Sequence, residues 1–148
     1  MVARFEKFSY FISEISKHWH KIASDEMIKH GLKGPYAVYF TALSRHNDGI
    51  TAARLAEICA RDKADVSRAV NQMAKKGLVI KKEVNQNHYN ALLILTDEGR
   101  DVATKIKEKA AYAVKIGGKG LNDEQRTDFY NSLELICNNL QSLSKEGL

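Results

Sequence analysis

A change of apolar period after Gly77 constrains this chain more than any other feature. Before it, Val66, Ala69, Val70 and Met73 return every three or four positions, as one buried stripe of a helix requires, and Gly77 is placed to end that helix. After it, Leu78-Val79-Ile80 and Leu92-Leu93-Ile94-Leu95 are short unbroken apolar runs. The polar stretch Asn85-Gln86-Asn87-His88-Tyr89-Asn90 separates them, which predicts a two-stranded hairpin with a projecting loop. A hairpin fed directly by a helix, in a chain whose other segments keep the helical period, predicts a mainly α fold with a small β-hairpin wing.

The helical segments can be placed one by one. Phe5, Phe8, Ile12, Ile15, Trp19 and Ile22 lie on one stripe of a long first helix over 4–30. Gly31 and Gly34 interrupt it, and Pro35 suits the first turn of a second helix through Val38, Phe40 and Leu43. Asn47-Asp48-Gly49 is a turn. Thr51 is placed to cap a short third helix over 52–60, and Asp62 a fourth running to Lys76. Thr96, followed by Asp97 and Glu98, opens a fifth helix to about residue 116, which Gly117, Gly118 and Gly120 break. Asn122 with Gln125 three positions on is a capping-box start for a last helix carrying Phe129, Leu133, Ile136, Leu140 and Leu143. The expected organisation is a single domain over 1–148. Residues 1–34 and 117–148 supply dimerisation helices, 35–100 a winged helix-turn-helix lobe, and 96–116 a connecting helix. The first and last apolar stripes are too extensive for one slim subunit to cover, so a homodimer is expected.

Charge locates the working face. The 22 residues from Arg61 to Lys82 hold seven bases and two acids, while the rest of the chain is balanced, so the whole net charge of +5 lies in that window. A focus of this kind suits a polyanion, although a solvated basic face would look the same by charge alone. The third and fourth helices form a helix-turn-helix whose second member has the size to enter a major groove, and the hairpin then serves as a wing. On its outer face Ser67 suits a base edge or phosphate, Arg68 a forked pair with guanine, and Asn71 and Gln72 bidentate bonds to adenine. Lys63, Lys75, Lys81 and Lys82 are read as phosphate contacts that hold register. The expected partner is double-stranded DNA.

Four segments resemble one family: Ile50-Thr51-Ala52-Ala53-Arg54-Leu55-Ala56-Glu57, Asp62-Lys63-Ala64-Asp65-Val66-Ser67-Arg68, Lys75-Lys76-Gly77-Leu78-Val79 and Leu95-Thr96-Asp97-Glu98-Gly99-Arg100. Together with Gly120-Leu121-Asn122-Asp123-Glu124-Gln125 they are similar to the MarR family of transcriptional regulators. The resemblance implies a triangular homodimer whose first and last helices intertwine. It also implies a pseudo-palindromic operator, usually repressed, and a small aromatic or phenolic effector that weakens binding. On that basis Arg61, Lys63, Ala64, Ser67, Arg68, Asn71, Gln72, Lys75, Lys81, Lys82 and His88 are the expected DNA-facing residues. His18, Trp19, His20, Tyr36, Tyr39 and Tyr112 are candidates for an effector pocket, although core and interface packing would account for the same aromatics. Two positions depart from the family pattern. The wing reads Asn87, His88 and Tyr89 where an Asp and one or two Arg are usual, so minor-groove contact loses its permanent charge. Arg61 stands where an apolar residue is common, and is expected to be exposed.

Other chemistry is weakly represented. No glycine-rich phosphate loop, nucleophile elbow or HExxH pair occurs, so an enzyme is not expected, nor any cofactor. The five histidines lack the spacing of a metal site. Cys59 and Cys137 sit inside helical patterns, which fits reduced thiols. No apolar run of membrane-spanning length and no signal peptide is present, so a cytoplasmic location is expected. The alternative to a DNA-binding regulator is a winged-helix interaction module whose basic face takes an acidic protein partner.

Overall fold

In chain order the secondary structure is α1 (Val2–Lys29), a 3-10 turn (Gly34–Tyr36), α2 (Ala37–Leu43), α3 (Ala52–Cys59), α4 (Lys63–Lys75), β1 (Val79–Val84), β2 (Asn87–Leu95), α5 (Asp97–Gly117) and α6 (Asp123–Glu146). This is a computed structural model that describes residues 2–84 and 87–147; the side chains of Val2 and of residues 87–89 lie outside that description. It is mainly helical with a hairpin wing, the fold class the sequence predicts.

The caps fall where short polar side chains compete for the orphan amides of a helix start. The Thr51 hydroxyl accepts the Arg54 amide at 3.2 Å, and Asp62 Oδ1 accepts the Asp65 amide at 2.7 Å. Asn122 and Gln125 cap α6 reciprocally at 2.8 and 2.9 Å. Pro35 starts a 3-10 turn rather than α2 itself, which begins at Ala37.

Two compact units make up the chain, Met1–Ala113 and Val114–Leu148. The first has a core drawn from every one of its elements: Met27, Tyr36, Phe40, Leu43, Leu55, Val66, Val70, Met73, Leu93, Leu95, Val102 and Ile106 are all buried. Removing the apolar area of such side chains from water supplies the main driving force, roughly 1.5–3 kcal/mol for each large one. The second unit contains the end of α5, a turn in which Arg126 donates to the carbonyls of Gly118 and Leu121, and α6, which has no buried residue among those described.

The wing is an antiparallel pair with Val79 opposite Leu95 and Lys82 opposite Leu92, irregular between Lys82 and Val84. Ile50 joins it by a bridge to Leu93, the two residues exchanging backbone bonds of 3.3 and 2.8 Å. Both strands run beyond the apolar runs, β1 on to Val84 and β2 from as early as Asn87. Ladder bonds are made by backbone, so Lys81 and Lys82 pair with Leu93 and Leu92 while their own side chains stay exposed. Only Val79 of β1 is buried.

One charged side chain among those described is buried. Glu26, near the end of α1, is 2% exposed and meets Lys109 of α5 at 2.8 Å, with Lys29 and His30 each at 3.4 Å. Burial by itself raises a carboxyl pKa, but these partners, Lys109 foremost, override it and hold Glu26 at about 2. A carboxyl held below its ordinary value contributes stability that is complete above about pH 4.5 and is lost as the pH falls toward 2. Thermal unfolding followed by circular dichroism should therefore show Glu26→Gln less stable than wild type at neutral pH, the gap closing below pH 4. A gap that stays constant would show that the pair contributes nothing electrostatic.

Candidate nucleic-acid interface

How α4 is seated decides which of its side chains are exposed. Val66, Ala69, Val70 and Met73 are between 0% and 2% exposed, so the opposite face must look outward. Lys63, Ala64, Ser67, Arg68, Asn71 and Lys75 are exposed there, and Gln72 is half-buried at the edge. The turn before α4 is tight: Ala60 takes a left-handed conformation at φ 50°, and the Arg61 amide returns to the Ala56 carbonyl at 3.0 Å. Arg61 is exposed, as expected.

The wing's base lies beside this helix. Lys81 Nζ donates to Asn71 Oδ1 at 2.6 Å, and Lys82 is exposed. Of the expected DNA-facing residues, those on α4 lie on its outer face with Lys81 joined to them through Asn71, while Lys82 follows Lys81 in a strand whose successive side chains alternate in direction. The expectation for His88, with Asn87 and Tyr89, concerns side chains outside the described residues.

A cavity of about 700 Å³ opens in the first unit between α1, α2, α3 and α5. Trp19 and His20 line it on one side, Arg45, Arg54 and Arg61 bring positive charge, and Cys59 contributes part of its wall. Of the aromatic candidates, only Trp19 and His20 reach it. Tyr36 and Tyr39 are buried in the core with ring centroids 5.9 Å apart, Tyr112 is 67% exposed, and His18 pairs with Glu14 at 3.5 Å on the exposed side of α1. The periodicity of a helix gives the face of an aromatic but not the cavity it meets. Burial pushes the Cys59 thiol up, and its sulfur lies 3.9 Å from the Val38 carbonyl, which suits an unreactive packing residue.

Two residues, Tyr39 and Asp65, have a part in this geometry that the sequence-based expectations do not assign to them. Tyr39 donates from the core to Asp65 Oδ2 on α4 at 2.7 Å, and burial together with that carboxylate pushes its phenol well up. Asp65 Oδ1 faces Arg68 Nη2 at 3.6 Å. The spacing of Asp65 and Arg68 hints at their pairing, whereas the Tyr39 contact spans 26 positions.

Residues 30–88 match the family model of the MarR family. A MarR transcriptional regulator from Methanosarcina mazei superimposes with a TM-score of 0.78 at 21% identity, over 93% of this chain and 92% of that one. A MarR-family protein from Listeria monocytogenes, complexed with a 26mer DNA, gives 0.77 at 25% identity over 93% of each chain. A SlyA-like transcription regulator from the same organism gives 0.77 at 25%, again over 93% of each. No curated protein matches the sequence. No described helix is long and apolar enough to cross a membrane.

Proposed function

We propose that this chain is a winged helix-turn-helix regulator of the MarR type, a reading supported by the family model over residues 30–88 and by the fold it shares with solved MarR-family proteins, and that it represses transcription by binding a pseudo-palindromic operator as a homodimer. It acts by binding and not by catalysis. The observation that carries the reading is the outward face of α4, where Ser67, Arg68 and Asn71 are exposed beside the bases of the wing. Groove-reading side chains inside a ring of phosphate-binding charge are the two components that sequence-specific binding needs. The Listeria protein in complex with DNA supports the same partner here.

The apolar side chains that one chain leaves uncovered support dimerisation. Phe5 is 67%, Phe11 54% and Ile15 58% exposed on α1, while Leu135 is 61% and Leu140 51% exposed on α6. A second copy covering these stripes removes them from water and gives the lobe a symmetric partner. The cavity takes an aromatic acid, with Trp19 as its flat wall and the arginines as anion partners, and its occupation weakens DNA binding.

The test is selection from a random DNA pool, followed by anisotropy on the enriched site and on a scrambled one. Arg68→Ala should cost about 1–3 kcal/mol on the enriched site and little on scrambled DNA. Lys75→Ala should weaken both about equally and lower the salt slope by about one. Adding an aromatic carboxylate should release the enriched site. If no sequence is enriched, the basic face serves an acidic protein instead and the reading fails.

A further inference from the structure

We infer that Asp65 is a positioning residue for Arg68, and that the buried hydroxyl of Tyr39 is what holds it there; this rests on reading Arg68 as a base contact. Three geometric facts lead to it. Tyr39 is 1% exposed on α2, its ring enclosed by core, so its hydroxyl has one place to go. That hydroxyl donates to Asp65 Oδ2 at 2.7 Å. The other carboxylate oxygen faces Arg68 Nη2 at 3.6 Å.

An exposed Asp–Arg pair three residues apart on a helix ordinarily contributes little, because both side chains leave it freely. Here the acid cannot. Its backbone amide is tied to Asp62 Oδ1 at 2.7 Å, and its carboxylate is anchored by a phenol that the core immobilises. Arg68 therefore meets a fixed acceptor. A guanidinium has five N–H donors, so one nitrogen can face Asp65 while others remain for the edge of a guanine. Ordering the side chain before it meets DNA removes part of the entropy cost of the contact, and that gain goes to the base that uses the fork. A carboxylate at this position also weakens attraction to phosphate, so the arrangement favours discrimination over raw affinity.

This assigns Tyr39 to the core and to DNA reading at once. It also gives α2, which lines the cavity through Val38 and Thr41, a direct bond to the recognition helix.

A double-mutant cycle distinguishes this role from a merely structural one. Binding is measured on the enriched and scrambled DNA described above, for wild type, Tyr39→Phe, Asp65→Asn, Arg68→Ala and the two doubles with Arg68→Ala. Tyr39→Phe should reduce the ratio of the two affinities about three- to tenfold while leaving scrambled DNA within about twofold. Asp65→Asn keeps an acceptor for the phenol but loses the charge facing Arg68; it should bind scrambled DNA more tightly and still lower the ratio. In the Arg68→Ala background neither change should move the ratio further. Losses that persist in that background, or that fall equally on both DNAs, overturn the inference while Arg68 remains a base contact. If Arg68→Ala alone leaves the ratio unchanged, the base contact itself is wrong and this inference falls with it. Should Tyr39→Phe fail to fold, the Asp65→Asn arm decides.

Discussion

Inserting five base pairs at the centre of the enriched DNA site should abolish tight binding. Two recognition helices related by a dimer axis meet the major groove on one side of the duplex only when their half-sites are about 10 to 10.5 base pairs apart, or a multiple of that. Five additional pairs turn one half-site about half a turn away, so one lobe binds and the other faces the wrong side of the helix. What remains is the contact of a single lobe, and the loss should approach the interval between specific and non-specific affinity, about a thousandfold or more. The expectation depends on the uncovered stripes of α1 and α6, because lobes not fixed to one another would tolerate any spacing. A loss of only twofold would mean that the lobes bind independently, and sedimentation should then find single chains.

Gly99→Ala should be the most damaging single change to stability. A Cβ at Gly99, in the first turn of α5, would fall onto the Leu78 carbonyl oxygen. That carbonyl cannot retreat, because it accepts the Thr96 amide at 3.1 Å, while Thr96 Oγ1 donates to the Gly77 carbonyl at 2.6 Å and accepts the Gly99 amide at 3.1 Å. Relieving the overlap means breaking bonds at a buried junction between helix and hairpin, which places the cost at about 3–5 kcal/mol. At about 2–4 °C per kcal/mol for a chain of this size, thermal unfolding should come some 10 °C lower. Gly117→Ala is the control. Nothing lies within 4 Å of a Cβ there, and it should leave stability unchanged or slightly raised. Equal behaviour of the two variants would show that the junction accommodates a methyl group.

What the sequence made legible, and what it did not, follows from the range of each interaction. Caps are local, so Thr51, Asp62, Thr96 and Asn122 could be placed from neighbours within three residues. The outward face of α4 was legible because its inward face is strictly apolar. The extent of the wing was not, since its outer half pairs through backbone and leaves no apolar record. The neighbours of Glu26 were hidden for a different reason. Its i+3 and i+4 partners could be read, but Lys109, the shortest contact, comes from a helix 83 positions later. Among the aromatics, a period of three and four gives Tyr36, Tyr39 and Trp19 a side of a helix and leaves open whether that side meets core, cavity or solvent.

The bridge between Ile50 and Leu93 bears on how the lobe opens. Ile50 immediately precedes the cap of α3, and Leu93 lies in the strand that leads to α5. At the other end, the Leu78 amide returns to the Met73 carbonyl at 2.9 Å, fastening α4 to the hairpin. The helix-turn-helix is thus stitched to the wing before its first helix and after its second. Opening either end means breaking backbone bonds to the hairpin, so in hydrogen exchange the backbone amides of Leu78 and Leu93 should be protected together with those of α4.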